Sequence, residues 1–251
     1  MRKVMFGVAV AAAMVAPAIA HADDTKGSLG VHYNNLDPSG SGHIDQYGID
    51  AAVSHDFSNG WTVQGDGVSD RLHLSGASLG VGYEAVSAGV RNGQYAAYGF
   101  VGLSDLSGSS ATNVGLGGQW FSNNIVLDGS VGYSDFDNTD AHVTQIGVDG
   151  AYFFNDNLSV AAEYGHTHFD TSGADNDANI YGVSGSYRLA SSPVTFSLGY
   201  DRVDSDTSDG NVWRIGASWD FGTGSLHERA TTGPSWSGAR NLYDQTIRTV
   251  F

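Results

Sequence analysis

The chain has no cysteine, only 4 prolines, and 11 Lys and Arg against 27 Asp and Glu in 251 residues. Without thiols there is no disulfide scaffold, thiolate metal site or cysteine nucleophile. The scarcity of proline argues against a proline-rich disordered chain, and an aromatic share of 11% argues against an acidic disordered segment. A formal net charge of -16 suits nucleic acid poorly, because phosphates call for Lys and Arg. Beyond residue 22 no apolar run approaches 18 residues, so no membrane-spanning helix is expected. Glycine, in contrast, is abundant, with 35 residues, roughly twice average usage.

The first 22 residues read as a leader. Arg2 and Lys3 precede an apolar run from Val4 to Val15, Pro17 breaks it, and Ala18-Ile19-Ala20 and Ala20-His21-Ala22 offer small-x-small cleavage sites. The run is too short for the ~20 residues of a spanning helix. The expectation is a signal peptide over 1–22, cleaved on export, with a mature chain starting at the acidic pair Asp23 and Asp24.

Past the leader the sequence alternates. Trp213, Ile215, Ala217, Trp219 and Phe221 are apolar, and Arg214, Gly216, Ser218 and Asp220 lie between them. Tyr47, Ile49, Ala51 and Val53 repeat the pattern, as do Ile125, Leu127, Gly129, Val131 and Tyr133, and Tyr181, Val183, Gly185, Tyr187 and Leu189. A period of two marks strands with one oily face and one polar face. Related turns recur at Phe57-Ser58-Asn59-Gly60, Phe121-Ser122-Asn123-Asn124, Phe154-Asn155-Asp156-Asn157 and Leu189-Ala190-Ser191-Ser192, and Arg91-Asn92-Gly93-Gln94 fills the gap in the series. Each repeat is one hairpin. Polar segments between the turns, including Asp37 to Gly42, Asp135 to Asp140, Asp170 to Asn179 and Asp204 to Gly210, read as longer loops at the opposite end. Strands are expected near 28–35, 43–56, 61–69, 75–90, 95–104, 112–121, 125–135, 142–154, 158–168, 178–189, 194–204 and 211–221. That is about twelve, with ten or fourteen as alternatives, because the fourth is long and the fifth is apolar on both faces (Tyr98 and Phe100 against Val101 and Leu103).

The placement of aromatics separates a membrane barrel from a soluble sandwich. Phe57, Trp61, Trp120, Phe121, Phe154, Trp219 and Phe221 lie near the short turns, and Tyr33, Tyr47, Tyr133, Tyr164, Tyr181, Tyr200 and Trp213 near the opposite ends. From Trp213 to Phe221 a strand covers ~26 Å, or ~20 Å after a ~40° tilt, which approaches the ~25 Å apolar band between two aromatic girdles. The other face carries Gly, Ser, Thr, Ala and Asp, residues that fit inside a closed wall. The fold class expected is all-β, a transmembrane antiparallel up-and-down β-barrel over 23–221. In these respects the chain resembles the outer-membrane porin-type barrels of Gram-negative bacteria. The resemblance implies residence in the outer membrane among its lipids, a passive route for small hydrophilic solutes, and often a trimer. Nothing in the sequence marks a subunit interface. Such barrels close on a terminal aromatic; here Phe221 ends the last clear strand, yet the chain continues to Phe251.

With the apolar face toward lipid, the pore-lining residues expected are Asp50, Asp66, Asp128, Asp149, Glu163, Asp201 and Asp220, opposed by Arg188 and Arg214. An acidic interior favours cations over anions. The function expected is thus a cation-preferring pore with a water-filled lumen, and the alternative is a non-conducting structural or surface-binding barrel. No cofactor, metal or catalytic motif is expected. His166 and His168 read as membrane-interface residues rather than ligands, and Asp204, Asp206 and Asp209 depart from the calcium-loop pattern. The tail, 222–251, breaks the alternation. Tyr243, Ile247 and Phe251 recur at helical spacing but also share a strand face, which leaves a periplasmic segment, a plug or a further strand.

Overall fold

The computed structural model describes residues 24–39, 42–74, 76–106, 108–137, 140–171 and 173–250. The leader and Phe251 lie outside these residues. Strands run β1 Thr25–Pro38, β2 Ile44–Asp56, β3 Trp61–Leu74, β4 Ala77–Arg91, β5 Tyr95–Leu106, β6 Ser109–Ser122, β7 Ile125–Phe136, β8 His142–Asn155, β9 Leu158–Thr171, β10 Ala174–Arg188, β11 Val194–Ser205 and β12 Gly210–Phe221. Each pairs antiparallel with its neighbours, and β1 pairs with β12 from Gly27↔Phe221 to Pro38↔Gly210. The sheet therefore closes into a twelve-stranded barrel. Closure leaves no edge, so every strand finds backbone partners on both sides without water.

Alternation decides which way each side chain points. Leu29, Val31, Leu116, Val131, Val148, Val183, Leu198 and Ile215 are exposed on the outside, an apolar band suited to hydrocarbon. Trp61, Trp120, Phe154 and Trp219 border it near one rim, and Tyr47, Tyr164, Tyr181 and Trp213 near the other. The short turns are held by asparagine side chains. Asn59 Oδ1 accepts from the Trp61 amide at 3.1 Å, Asn92 Oδ1 from Gln94 and Tyr95, and Asn155 Oδ1 from Asn157. These side-chain-to-backbone bonds are the local reason that the asparagine-containing motif turns the chain.

Two expectations are corrected. The polar segments are not long loops throughout: Asp170 to Asn179 is largely hairpin, with Asp170↔Asp175, Phe169↔Asn176 and His168↔Asp177 paired across β9 and β10. Polar residues stay in register there because a paired backbone retains hydrogen bonds that a loop would give up to water. The second correction concerns the interior. The tail forms two helices, α1 Leu226–Thr232 and α2 Gly238–Val250, and α2 lies inside the barrel against β4 through β11. The water-filled lumen expected from the small inward residues is instead partly filled by the chain's own end.

Candidate functional site

The lumen is where the charged and aromatic side chains of the wall converge. Behind Phe221 the chain turns at Gly222, whose φ of 74° belongs to the left-handed region that glycine tolerates. Ser225 starts α1 by accepting from the Glu228 amide at 3.0 Å, and the Glu228 carboxylate accepts from the Gly224 amide at 2.6 Å, a variant of the reciprocal cap. This helix lies at the short-turn rim: the His227 amide donates to Asp156 O, and Lys26 Nζ donates to Thr232 O at 3.2 Å. The chain then enters the barrel through residues 233–237.

One part of the wall receives the tail by aromatic packing. Tyr98 of β5 stacks on Trp236 with centroids 4.7 Å apart and planes 7° from parallel. The Arg91 guanidinium covers the Trp236 ring at 5.1 Å, within cation–π range. Tyr83 of β4 meets Tyr243 at 4.9 Å. Hydrogen bonds fix the register: Gln64 Nε2 donates to Trp236 O at 2.8 Å and Gln64 Oε1 accepts from the Trp236 amide at 3.1 Å, while Gln119 Nε2 donates to Ser235 O. Gly132 admits Leu242, since a Cβ there would sit 3.0 Å from Leu242 Cδ2. Ala239, Leu242, Tyr243 and Ile247 are all buried, one apolar stripe of an amphipathic helix.

The rest of the wall is charged. All nine residues expected to line the lumen face inward, and each has charged or polar company. Asp50 Oδ1 lies 3.2 Å from His32 Nδ1, and His32 Nε2 lies 2.9 Å from Asp70, which accepts from the Tyr243 hydroxyl at 3.0 Å. Asp66 accepts from Tyr83 at 2.5 Å and from Gln64. Asp128 accepts from the Ser237 hydroxyl at 2.8 Å. Arg188 Nη1 reaches Asp220 at 3.5 Å, and Arg229 of α1 reaches the other Asp220 oxygen at 3.2 Å. Arg214 Nη2 lies 2.7 Å from Asp201 and 3.2 Å from Glu163. Arg248 of α2 bridges the same two acids, with both ion pairs at 3.2 Å. Asp149 lines a cavity of about 250 Å³ with Glu163, Arg214, Arg240, Asp244 and Arg248. A second cavity of about 330 Å³, bordered by Asp50, Asp66, Tyr83, Arg229, Trp236 and Arg240, lies nearer the short-turn rim.

Register brings four of these acids into one row. Asp128 pairs with Asp149, Asp149 with Glu163, Glu163 with Gly182, and Gly182 with Asp201. Like charges set opposite one another across strands repel, so the row requires cations, and Arg214 and Arg248 meet its end. Sequence reading missed Tyr83, Tyr98, Phe100, His32, Arg229, Arg240 and Arg248. The available signal was the fifth strand, whose double apolar face reflects an inward side that packs against the chain's own tail.

On the outer surface, His168 Nδ1 contacts Asp177 at 2.8 Å and His166 Nδ1 contacts Asn179 at 3.2 Å. At the rim, Arg202 bridges Asp204 and Asp209, each at 2.7 Å. Among the described residues no group of three or more His, Cys, Asp or Glu is arranged to hold a metal ion.

A closed twelve-stranded antiparallel barrel with an apolar exterior, aromatic borders and a polar interior has the fold of outer-membrane porin-type barrels. Solved structures bear this out. The NanC porin is similar at a TM-score of 0.55 and 15% identity, over 75% of this chain and 98% of that one. The KdgM porin is similar at 0.50 and 13%, over 76% and 99%. The beta domain of the Bordetella autotransporter BrkA is similar at 0.53 and 13%, over 79% and 100%. At such identities the likeness is one of fold. No known protein family matches the chain, and neither does any curated protein.

Proposed function

We propose that the protein is an outer-membrane pore for small hydrophilic solutes with a preference for cations, and that its C-terminal segment closes the pore at rest. The observation that carries this reading is the pairing of an apolar outer band with a charged inner face on a sheet closed from β1 to β12. A barrel of twelve strands is wider than the eight-stranded kind that wall side chains fill alone, and here a helix takes up the additional space. On the wall itself the inward acids Asp50, Asp56, Asp66, Asp70, Asp128, Asp149, Glu163, Asp201 and Asp220 outnumber the inward bases Lys26, His32, Arg91, Arg188 and Arg214. Such a surface lowers the energy of cations and raises that of anions. A KdgM structure has been solved with disordered oligogalacturonate; the acidic wall here disfavours a polyanion of that kind.

Ring closure uses no residue of the tail, so a barrel lacking 222–251 retains all its strand pairing. In a planar bilayer under a potassium chloride gradient, the expected result for that variant is a stable current reversing on the potassium side. Reversal on the chloride side would overturn the cation preference. Silence from a folded, inserted barrel would overturn the pore. The occupied lumen also favours a second reading, a non-conducting barrel in which the tail is a permanent core; that reading predicts silence from both the intact and the shortened protein.

A further inference from the structure

We propose that Glu163 and Asp201 form a binding site for guanidinium-bearing cations in the lumen, and that Arg248 of the tail occupies it as an internal stand-in for such a ligand. The proposal rests on the pore reading only for its physiological setting; the site itself stands on geometry. Glu163 is on β9 and Asp201 on β11, and the strand between them contributes Gly182, paired with both. A Cβ at Gly182 would collide with the side chains of both acids. Its absence lets the two carboxylates converge over the same backbone position, as the two arms of a guanidinium require. Arg248 takes that place: Nη1 meets Glu163 Oε1 and Nη2 meets Asp201 Oδ2, each at 3.2 Å, with the Arg248 side chain only 9% exposed. A planar guanidinium offers a separate N–H arm to each carboxylate, whereas an ammonium must reach both from a single nitrogen.

Two further observations bear on this pair. Asp201 is fully buried, and its Oδ2 has no hydrogen bond; only the Arg248 ion pair meets it. The charge count at the row's end also does not close without the tail. When the segment leaves, Asp220 keeps Arg188, but Glu163 and Asp201 share Arg214 alone. Two carboxylates on one guanidinium leave a net negative charge that attracts a second cation, so the vacated site recruits one. The adjoining cavity of about 250 Å³ provides room for the remainder of a small solute.

The test is calorimetric titration of the full chain with agmatine, a small guanidinium compound, in detergent. Arg248→Ala is expected to bind agmatine at least tenfold more tightly than the wild type, in which Arg248 competes. Adding Asp201→Asn is expected to return binding to the wild-type level, and cadaverine, a diamine of the same charge without a guanidinium fork, is expected to bind Arg248→Ala at least tenfold more weakly than agmatine. Equal agmatine binding by wild type and Arg248→Ala, or equal binding of cadaverine and agmatine, would overturn the proposal. If the alanine variant does not refold, Arg248→Gln serves the same comparison. Because calorimetry needs no current, agmatine binding in a protein whose tail-deleted barrel stays silent would retain the site and reject the pore, and the opposite pair of results would do the reverse.

Discussion

Two sides of the lumen wall meet the same tail in different ways. Strands β4 and β5 present Tyr83, Tyr98 and Phe100, large rings turned inward on a face where a water-filled barrel would carry small or polar groups. Strands β9, β11 and β12 present Glu163, Asp201, Arg214 and Asp220 among glycines and serines. The ringed side touches Trp236 and Tyr243, and the charged side touches Arg229 and Arg248. The wall thus carries the imprint of its occupant, apolar where the helix packs and acidic where its arginines reach. Rings provide area and shape without directional demands, whereas the acids hold a charge that another cation can supply. One side anchors the segment; the other is where a solute can compete with it.

The largest effect is expected on the ringed side. Trp236→Ala removes the stack on Tyr98 and the contact with Arg91, a loss of about 3–5 kcal/mol for a buried aromatic. Limited proteolysis should clip the tail on the order of 100-fold faster or more, and an unchanged rate would show that the rings are not its anchor. Outside the barrel, Leu116→Arg is the control that sharpens the contrast between faces. Leu116 is 64% exposed on the outward side, and a charge near the bilayer midplane costs about 2–4 kcal/mol. Urea-dependent refolding into vesicles should show that penalty, and its absence would mean that this face does not meet lipid. On the charged side, Arg248→Ala loses two charged contacts, about 1.5–3 kcal/mol, tempered because Arg214 still holds both acids. Tail clipping should accelerate by less than in Trp236→Ala; the reverse order would make charge, rather than stacking, the anchor. The smallest effect belongs to His168→Ala, whose exposed contact with Asp177 should matter by under about 0.5 kcal/mol in the same refolding assay.

The wall was legible in the sequence because a strand's side chains alternate whatever their partners, so Trp213 to Phe221 declares its faces without knowledge of β1 or β11. The nine charged residues were likewise assigned to the inner face by parity alone. Their grouping was not legible. Whether Asp128, Asp149, Glu163 and Asp201 stand at one height depends on hairpin register, which turn geometry sets and alternation does not reveal. The rim was misread because Asp, Asn and Ser suggest loops, yet between Asp170 and Asn179 they continue a ladder. The tail was half legible. Tyr243 and Ile247 at helical spacing were compatible with α2 but equally share a strand face, and Ser225 with Glu228 three residues on was a helix start that went unrecognised. That the helix enters the lumen follows from long-range pairs such as Gln64 with Trp236, which no local pattern contains.

The central claim is that this barrel is a pore held shut by its own end. Single-channel recording of the intact protein and of the protein without residues 222–251, in the same bilayer and salt, tests it most directly. The account predicts small or absent current from the intact chain and a large, steady conductance once the tail is removed. Equal conductance from the two would contradict it.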